Sequence, residues 1–301
     1  MRRHRLTARG ALFLTLTALL FAQAAAASSD ATIGTAKVPR LVFPVLGAAT
    51  FTSDFGDARG QGGHEGNDIM APRKALVLAA EAGTVKFWTT SARAGCMLYL
   101  YGKSGTTYLY IHLNNDLTDA NDNRGTCVPG VAYATGLRSG SRVAAGQPIA
   151  FNGDSGDANG INPHLHFEVH PDDGGAVDPY RYLRSAKRLL FSAKPGSTFT
   201  LALTGKLVGT AEEGLELELD HVRSWPGGRK IPQAGQKIEV TVPFDALIEG
   251  VAGAAGLGLP TLELLEPGSS VTVWTSPAKT TFAAQTGVKG ALAAKRVVLK
   301  K

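Results

Sequence analysis

No H-E-x-x-H segment occurs in the 301 residues, and from Leu41 to about Arg184 no segment holds a helical apolar period for long. The first absence removes the helical zinc signature with its built-in glutamate base; the second argues against a helical fold. Cysteine is scarce, with only Cys96 and Cys127, and neither follows the N-terminal apolar stretch, which argues against a lipid anchor. Long apolar runs are missing as well: the stretch from Ala11 to Phe21 is too short for a comfortable membrane span. No internal repeat or low-complexity tract stands out.

The chain opens with Met1-Arg2-Arg3-His4-Arg5, continues through that apolar stretch and reaches Ala25-Ala26-Ala27. A basic start, a short apolar core and an Ala-x-Ala end read as a secretory signal over residues 1–27, so an exported protein is expected, periplasmic or extracellular, with no stable membrane span after cleavage. Those residues hold four arginines (Arg2, Arg3, Arg5, Arg9) and no acid, so their removal lowers the formal charge from +6 to +2. The basicity is mostly an address, and a nucleic-acid partner loses its compositional support. In an oxidising compartment the even cysteine count favours a Cys96–Cys127 disulfide.

Residues 28–40 read as a linker. From Leu41 to about Arg184, strand-like runs alternate with glycine-rich turns: Leu76 to Ala80, Gly83 to Thr89, Cys96 to Tyr101, Thr106 to His112, Pro148 to Phe151 and His164 to His170. The expected fold is all-β, an antiparallel sheet or sandwich over 41–185. A second break at 186–196 leads to a smaller C-terminal β domain over 197–301, a barrel or sandwich of five or so short strands, with room for a helix between Leu247 and Leu265. The polar connection from Asn114 to Arg142 is long for a compact domain, and loops of that length are often functional.

His164-Leu165-His166 puts two imidazoles on one face of a strand while Leu165 and Phe167 face a core. Upstream, His64 and Asp68 stand four apart, and His112 ends the run Tyr108-Leu109-Tyr110-Ile111. Hydrolytic zinc sites use three protein ligands and keep a fourth position for water. His64, Asp68 and His166 would supply two nitrogens and one carboxylate for a single Zn²⁺. With no H-E-x-x-H glutamate, His164 or His112 would orient the water, accept its proton or donate to the oxyanion.

These residues resemble the lysostaphin/LytM-type zinc endopeptidases, which cut peptides in bacterial cell walls. The resemblance spans roughly Phe43 to Leu183 and rests on three ordered motifs. They are His64-x-Gly66-x-Asp68-Ile69 with Ala71-Pro72, Tyr110-x-His112-Leu113, and Gly153-x-Ser155-Gly156 leading to His164-Leu165-His166-Phe167-Glu168. It implies zinc on His64, Asp68 and His166, catalytic non-ligand roles for His164 and His112, a groove floored by sheet, and peptidoglycan or wall peptides as partners. Two departures mark this chain: Lys74-Ala75-Leu76 stands where the family commonly has a Gly-Thr-Pro turn, and the Asn114 to Arg142 connection is longer than usual.

The leading expectation is an exported zinc endopeptidase acting on stem peptides or cross-bridges of peptidoglycan. The alternatives are a non-catalytic wall-binding or regulatory module of the same fold, and a zinc peptidase of glycine-rich proteins. Glu168 reads as a structural partner rather than a base, and His170 as a surface or substrate-side residue. Tyr108 and Tyr110 face either the groove or the core. His221, Arg223, Trp225 and Arg229 form either a wall-contacting patch or a turn marked by Pro226-Gly227-Gly228, the turn being favoured.

Overall fold

The computed structural model describes residues 37–60, 62–89, 92–192, 197–251, 254–257, 262–279 and 292–300. The signal expected over 1–27, most of the 28–40 linker and residues 193–196 lie outside these. Among the described residues no helix is long and apolar enough to cross a membrane.

The chain is all-β, as its alternation predicts. The first part comprises β1 (Ala58–Arg59), β2 (Gly62–Gly63), β3 (Asn67–Met70), β4 (Leu76–Leu78), β5 (Gly83–Trp88), β6 (Cys96–Gly102), β7 (Thr107–Leu113), β8 (Arg142–Val143), β9 (Pro148–Phe151) and β10 (His164–His170), followed by the short helix α1 (Tyr180–Ser185). A six-stranded antiparallel sheet runs β3-β10-β7-β6-β5-β8, with β4 and β9 paired separately. One face of this sheet is apolar: Ile69, Val85, Leu98, Leu100, Tyr108, Tyr110, Leu165, Phe167 and Val169 are buried together with Leu41, Phe43, Val77 and Ile149. The other face carries the imidazoles.

The two tyrosines left open by the sequence belong to the core. Both are fully buried; the Tyr108 hydroxyl donates to Glu81 and the Tyr110 hydroxyl accepts the Ala80 amide, so each phenol keeps a polar partner inside.

The second part comprises β11 (Thr198–Ala211), β12 (Gly214–Trp225), β13 (Lys230–Thr241), β14 (Leu247–Val251), β15 (Ala254–Leu257), β16 (Ser270–Thr275), β17 (Ala278–Lys279) and β18 (Ala294–Leu299). Its order is β13-β12-β11-β16-β18-β14-β15, with β17 on β11. The strands are longer than expected; within the stretch that had room for a helix, Leu247–Val251 and Ala254–Leu257 are strands and Leu262 is helical, while residues 258–261 lie outside the described ones. The core of this sheet also takes in Leu46, Leu78, Leu189, Leu190 and Phe191. Hydrogen bonds join the two parts, Ala48 N–H to Pro232 O at 2.8 Å and the Arg229 side-chain Nη2 to Lys74 O at 3.0 Å.

The long polar connection is anchored rather than free. Ala132 and Tyr133 within it are fully buried, Tyr133 stacks on Phe87 at 3.7 Å, and Cys127 is bonded to Cys96. Lys74, at the first departure from the pattern the chain resembles, and its neighbour Arg73 hold the second departure. Arg73 pairs with Asp116, and Lys74 donates to the Leu117 and Thr118 carbonyls and pairs with Asp119. Lys74 does this at φ 59, a left-handed conformation that favours glycine. The cross-link closes 31 residues of chain, and on the chain-entropy model its loss costs about 3 to 4 kcal/mol. Cys96→Ser with Cys127→Ser is expected to lower stability by up to that amount in urea unfolding; an unchanged midpoint would show that the polar anchors alone hold the connection.

Candidate metal centre

Strand pairing brings the separated motifs together. In the β10–β3 ladder His166 lies directly opposite Asp68, and in the β10–β7 ladder it lies opposite Ile111. His64 enters from the turn before β3. His64 Nε2 is 2.8 Å from His166 Nδ1, and each lies 3.1 Å from Asp68 Oδ1. These three residues form the one group among the described residues whose ligand atoms converge as a metal site requires.

The outward nitrogens decide what the inward ones are. His64 Nδ1 faces the Asp54 carbonyl at 2.9 Å, and His166 Nε2 faces Glu168 Oε1 at 3.0 Å; both partners only accept, so each ring donates its N–H outward. In the neutral rings the inward atoms are then lone pairs beside a carboxylate oxygen, an arrangement that repels itself unless a cation, either a proton or a metal ion, lies between them. Ligands at zinc bond lengths in a tetrahedron stand roughly 3.3 Å apart, close to the observed spacing, so the donor set fits the ion.

The electrostatics follow the same logic. Burial opposes charge on His166, but hydrogen bonds to Asp68 and Glu168 outweigh it and push its pKa up to about 9. Burial likewise opposes ionisation of Asp68, yet hydrogen bonds from His166 and His64 hold it far below the usual carboxylate range. Glu168, against its own burial, is held down to about 2 by His166 and His170. The site draws positive charge.

Glu168 is the partner of His166, as the sequence suggested in general form, and His170 closes the row by donating to Glu168 Oε2 at 2.6 Å. A carboxylate behind a ligating imidazole fixes its tautomer and raises its basicity. Glu168→Gln is therefore expected to weaken zinc binding about 10- to 100-fold in competition with a chromogenic chelator, with the fold retained. Unchanged affinity would remove Glu168 from the site.

The motif glycines have steric reasons. A Cβ on Gly66 would sit 2.6 Å from His166 Nε2 and 2.8 Å from the Phe167 carbonyl, which would drive the ring off Glu168. Gly156 lies at φ +79 with a Cβ position 2.1 Å from the Arg93 carbonyl. That close turn presents Ser155, whose carbonyl accepts His112 Nδ1–H at 2.9 Å and whose hydroxyl ties Leu113 O to the Cys96 amide.

His112 reaches the site through a bulge. Leu98 pairs with Tyr110 but Cys96 with Leu113, so one extra residue is inserted in β7, and His112 takes φ 61. Simple alternation would send His112 to the core side with Tyr110; the bulge re-aims it. Its ring lies 5.1 Å from that of His164 and 6.0 Å from that of His166. Burial first, then repulsion from His164, lowers its pKa to about 4, so it is neutral near pH 7. His164 Nδ1 faces the Asn162 carbonyl at 2.9 Å, which leaves Nε2 turned toward Asp68 Oδ1, 3.8 Å away.

All five residues singled out in the sequence thus meet in one place. Asp54 and Arg59 escaped notice, and Ser155, quoted in a motif, had been given no role. Asp54 takes His64 on its carbonyl and the Asn67 side chain and Asp68 amide on its carboxylate; Arg59, on the exposed hairpin β1–β2, donates to Asp68 Oδ2 at 3.0 Å; Ser155 positions His112. An acid ten residues before His64 carries no local signal, because its role depends on chain return. Across the groove floor, Glu168, Leu109, Tyr99 and Lys86 stand in one row, and Trp88 and Tyr101 are exposed on the same side.

No family model matches the chain. It is similar to an L-Ala–D-Glu endopeptidase of Bacillus subtilis (strain 168), 29% identical over 162 residues, covering 50% of this chain and 44% of the relative. The chain therefore spans less than half the length of that curated relative. Among solved structures, it is similar to the catalytic domain of lysostaphin from Staphylococcus simulans, with a TM-score of 0.35, 22% identity, and 46% of this chain and 92% of the other covered. It is also similar to a zinc-containing peptidase from Vibrio cholerae, with a TM-score of 0.34, 22% identity, and 48% and 40% covered. The resemblance of the motifs to lysostaphin/LytM-type peptidases stands beside these likenesses.

Proposed function

We propose that the chain is an exported zinc-dependent endopeptidase that hydrolyses amide bonds in peptidoglycan stem peptides or cross-bridges. The observation that carries this reading is the convergence of two imidazole nitrogens and a carboxylate, with two further imidazoles alongside that the ligand set does not use. The curated relative, an endopeptidase for an Ala–Glu bond, supports the substrate class.

His64 Nε2, one Asp68 oxygen and His166 Nδ1 would hold the ion. When bound, zinc polarises the scissile carbonyl and acidifies a water. His112, neutral and with Nδ1–H committed to Ser155 O, presents Nε2 as the proton acceptor. Asp157, 3.8 Å from that atom, favours the imidazolium once the proton arrives. His164 Nε2, on the metal side, hydrogen-bonds the reacting oxygen when it carries the proton. The metal side of the sheet between β10 and β5 would be the floor on which an extended peptide lies, with half-buried Leu109 as an apolar contact.

The test is mass analysis of fragments released from defined peptidoglycan, with and without chelator and with zinc restored. New amine and carboxyl ends within stem peptides or bridges, lost on chelation and regained with zinc, are expected. Sedimentation with the wall and no released fragment would favour a binding module instead, and cleavage of oligoglycine in preference to muropeptides would favour a protein substrate.

A further inference from the structure

None of the three tryptophans belongs to either hydrophobic core. Two of them, Trp225 on β12 and Trp274 on β16, stack on each other across β11 with ring centroids 5.1 Å apart and planes at 26°. They lie on the outer face. Val271 and Val273 point inward on β16, which leaves Thr272 and Trp274 outward.

On β12 the placement depends on a bulge. Leu215, Leu217 and Leu219 point inward, and the same phase carried on would bury Trp225. One extra residue in β12 against β11, between Leu219 and His221, resets the strand, so that Val222 faces the core while His221, Arg223 and Trp225 face out. Ala202 lies opposite both Arg223 and Trp274, and it is only 6% exposed although it belongs to neither core. The indoles close over its methyl group.

The surroundings are polar and cationic. Thr204 and Thr272 share a hydrogen bond on this face. Arg223 stands directly opposite Lys230 in the β12–β13 ladder, and neither has an ion pair with a described residue. Like charges directly opposite in a sheet are destabilising, so the pair is a standing cost that an anion would relieve. Arg296, opposite Trp274, is already held by Glu249 at 2.9 Å. An apolar protein partner would call for contiguous aliphatic surface, and among the described residues of this face Trp274 is the one large exposed hydrophobic side chain. Flat aromatic faces set among hydroxyls and cations suit a ligand with broad C–H faces, hydroxyls and negative charge.

We propose that this face of the C-terminal sheet binds the glycan strands of peptidoglycan, with sugar rings on Trp225 and Trp274 and carboxylates of the wall at Arg223 and Lys230. The choice of peptidoglycan rests on the proposed substrate; the aromatic and cationic surface does not. The turn at Pro226-Gly227-Gly228, favoured from sequence, and the wall-contacting patch are thus compatible, because the turn delivers Trp225 to its partner.

The test is co-sedimentation of the full chain with purified sacculi stripped of phosphate polymers, alongside hydrolysis of a soluble stem peptide. Trp274→Ala is expected to weaken sedimentation about tenfold, in the range of a truncated aromatic anchor, and to leave turnover of the soluble peptide unchanged. Arg223→Gln with Lys230→Gln should weaken it several-fold and flatten its salt dependence. If Trp274→Ala unfolds, Trp274→Phe and the charge variants decide the matter. Wild-type sedimentation by these variants overturns the proposal, as does retention only by phosphate-bearing polymer or displacement by single-stranded DNA. Tryptophan-dependent sedimentation without peptide cleavage would instead strike the proposed activity and leave this surface standing.

Discussion

His164→Ala and His112→Ala are each expected to retain stoichiometric zinc while lowering kcat by about 10²- to 10⁴-fold, the usual range for removing a positioned proton-transfer group. His64→Ala and His166→Ala are expected to lose the metal and activity together. The contrast follows from where the free nitrogens point. His64 and His166 spend their outer N–H groups on Asp54 and Glu168 and turn their inner nitrogens toward each other and Asp68, whereas His112 and His164 spend Nδ1–H on the Ser155 and Asn162 carbonyls and keep Nε2 for the reaction. Metal analysis beside peptide turnover separates the two classes. Loss of zinc in His164→Ala, or full turnover in His112→Ala, would overturn the assignment.

Arg73→Met is expected to destabilise the protein by about 3 to 5 kcal/mol, because it leaves two carboxylates buried without their cation. Asp116 and Asp154 have no exposed side-chain surface, and Arg73 bridges them, its contacts to Asp154 being 2.7 and 3.0 Å. Against a typical stability of about 5 to 15 kcal/mol, that loss is large. The damage should reach the site, since Asp154 precedes Ser155, and Asn121 and Asn123 of the long connection hold Asp154 and Asn159 beside it. Urea unfolding gives the cost, and Asp116→Asn with Asp154→Asn in the Arg73→Met background should recover part of it. A loss below about 1 kcal/mol would mean that water replaces the guanidinium there.

The two departures from the family pattern prove to be one construction. Lys74 accepts a glycine-like backbone and uses its side chain, with Arg73, to tie down the longer Asn114 to Arg142 connection. Nothing in the local sequence of either segment announces the other, since the pairing is made across more than forty residues.

What the sequence determined by itself is what alternation and short spacing can encode. Period-2 patterning set the all-β character, and it put His164 and His166 on one face with Leu165 and Phe167 behind them. The four-residue spacing of His64 and Asp68 placed two ligand types within reach of one another. Only the tertiary structure decided the facing of His112, Tyr108, Tyr110 and Trp225. A bulge moves a strand's phase by one residue, and whether one forms depends on the partner strand's register and on what waits on either face. In β7 the Ser155 carbonyl and the Cys96 end of β6 hold the bulge that turns His112 to the metal side and leaves both tyrosines in the core. In β12 one extra residue against β11 turns Trp225 out to meet Trp274. These outcomes rest on contacts between residues far apart in the chain, and local alternation carries no record of them.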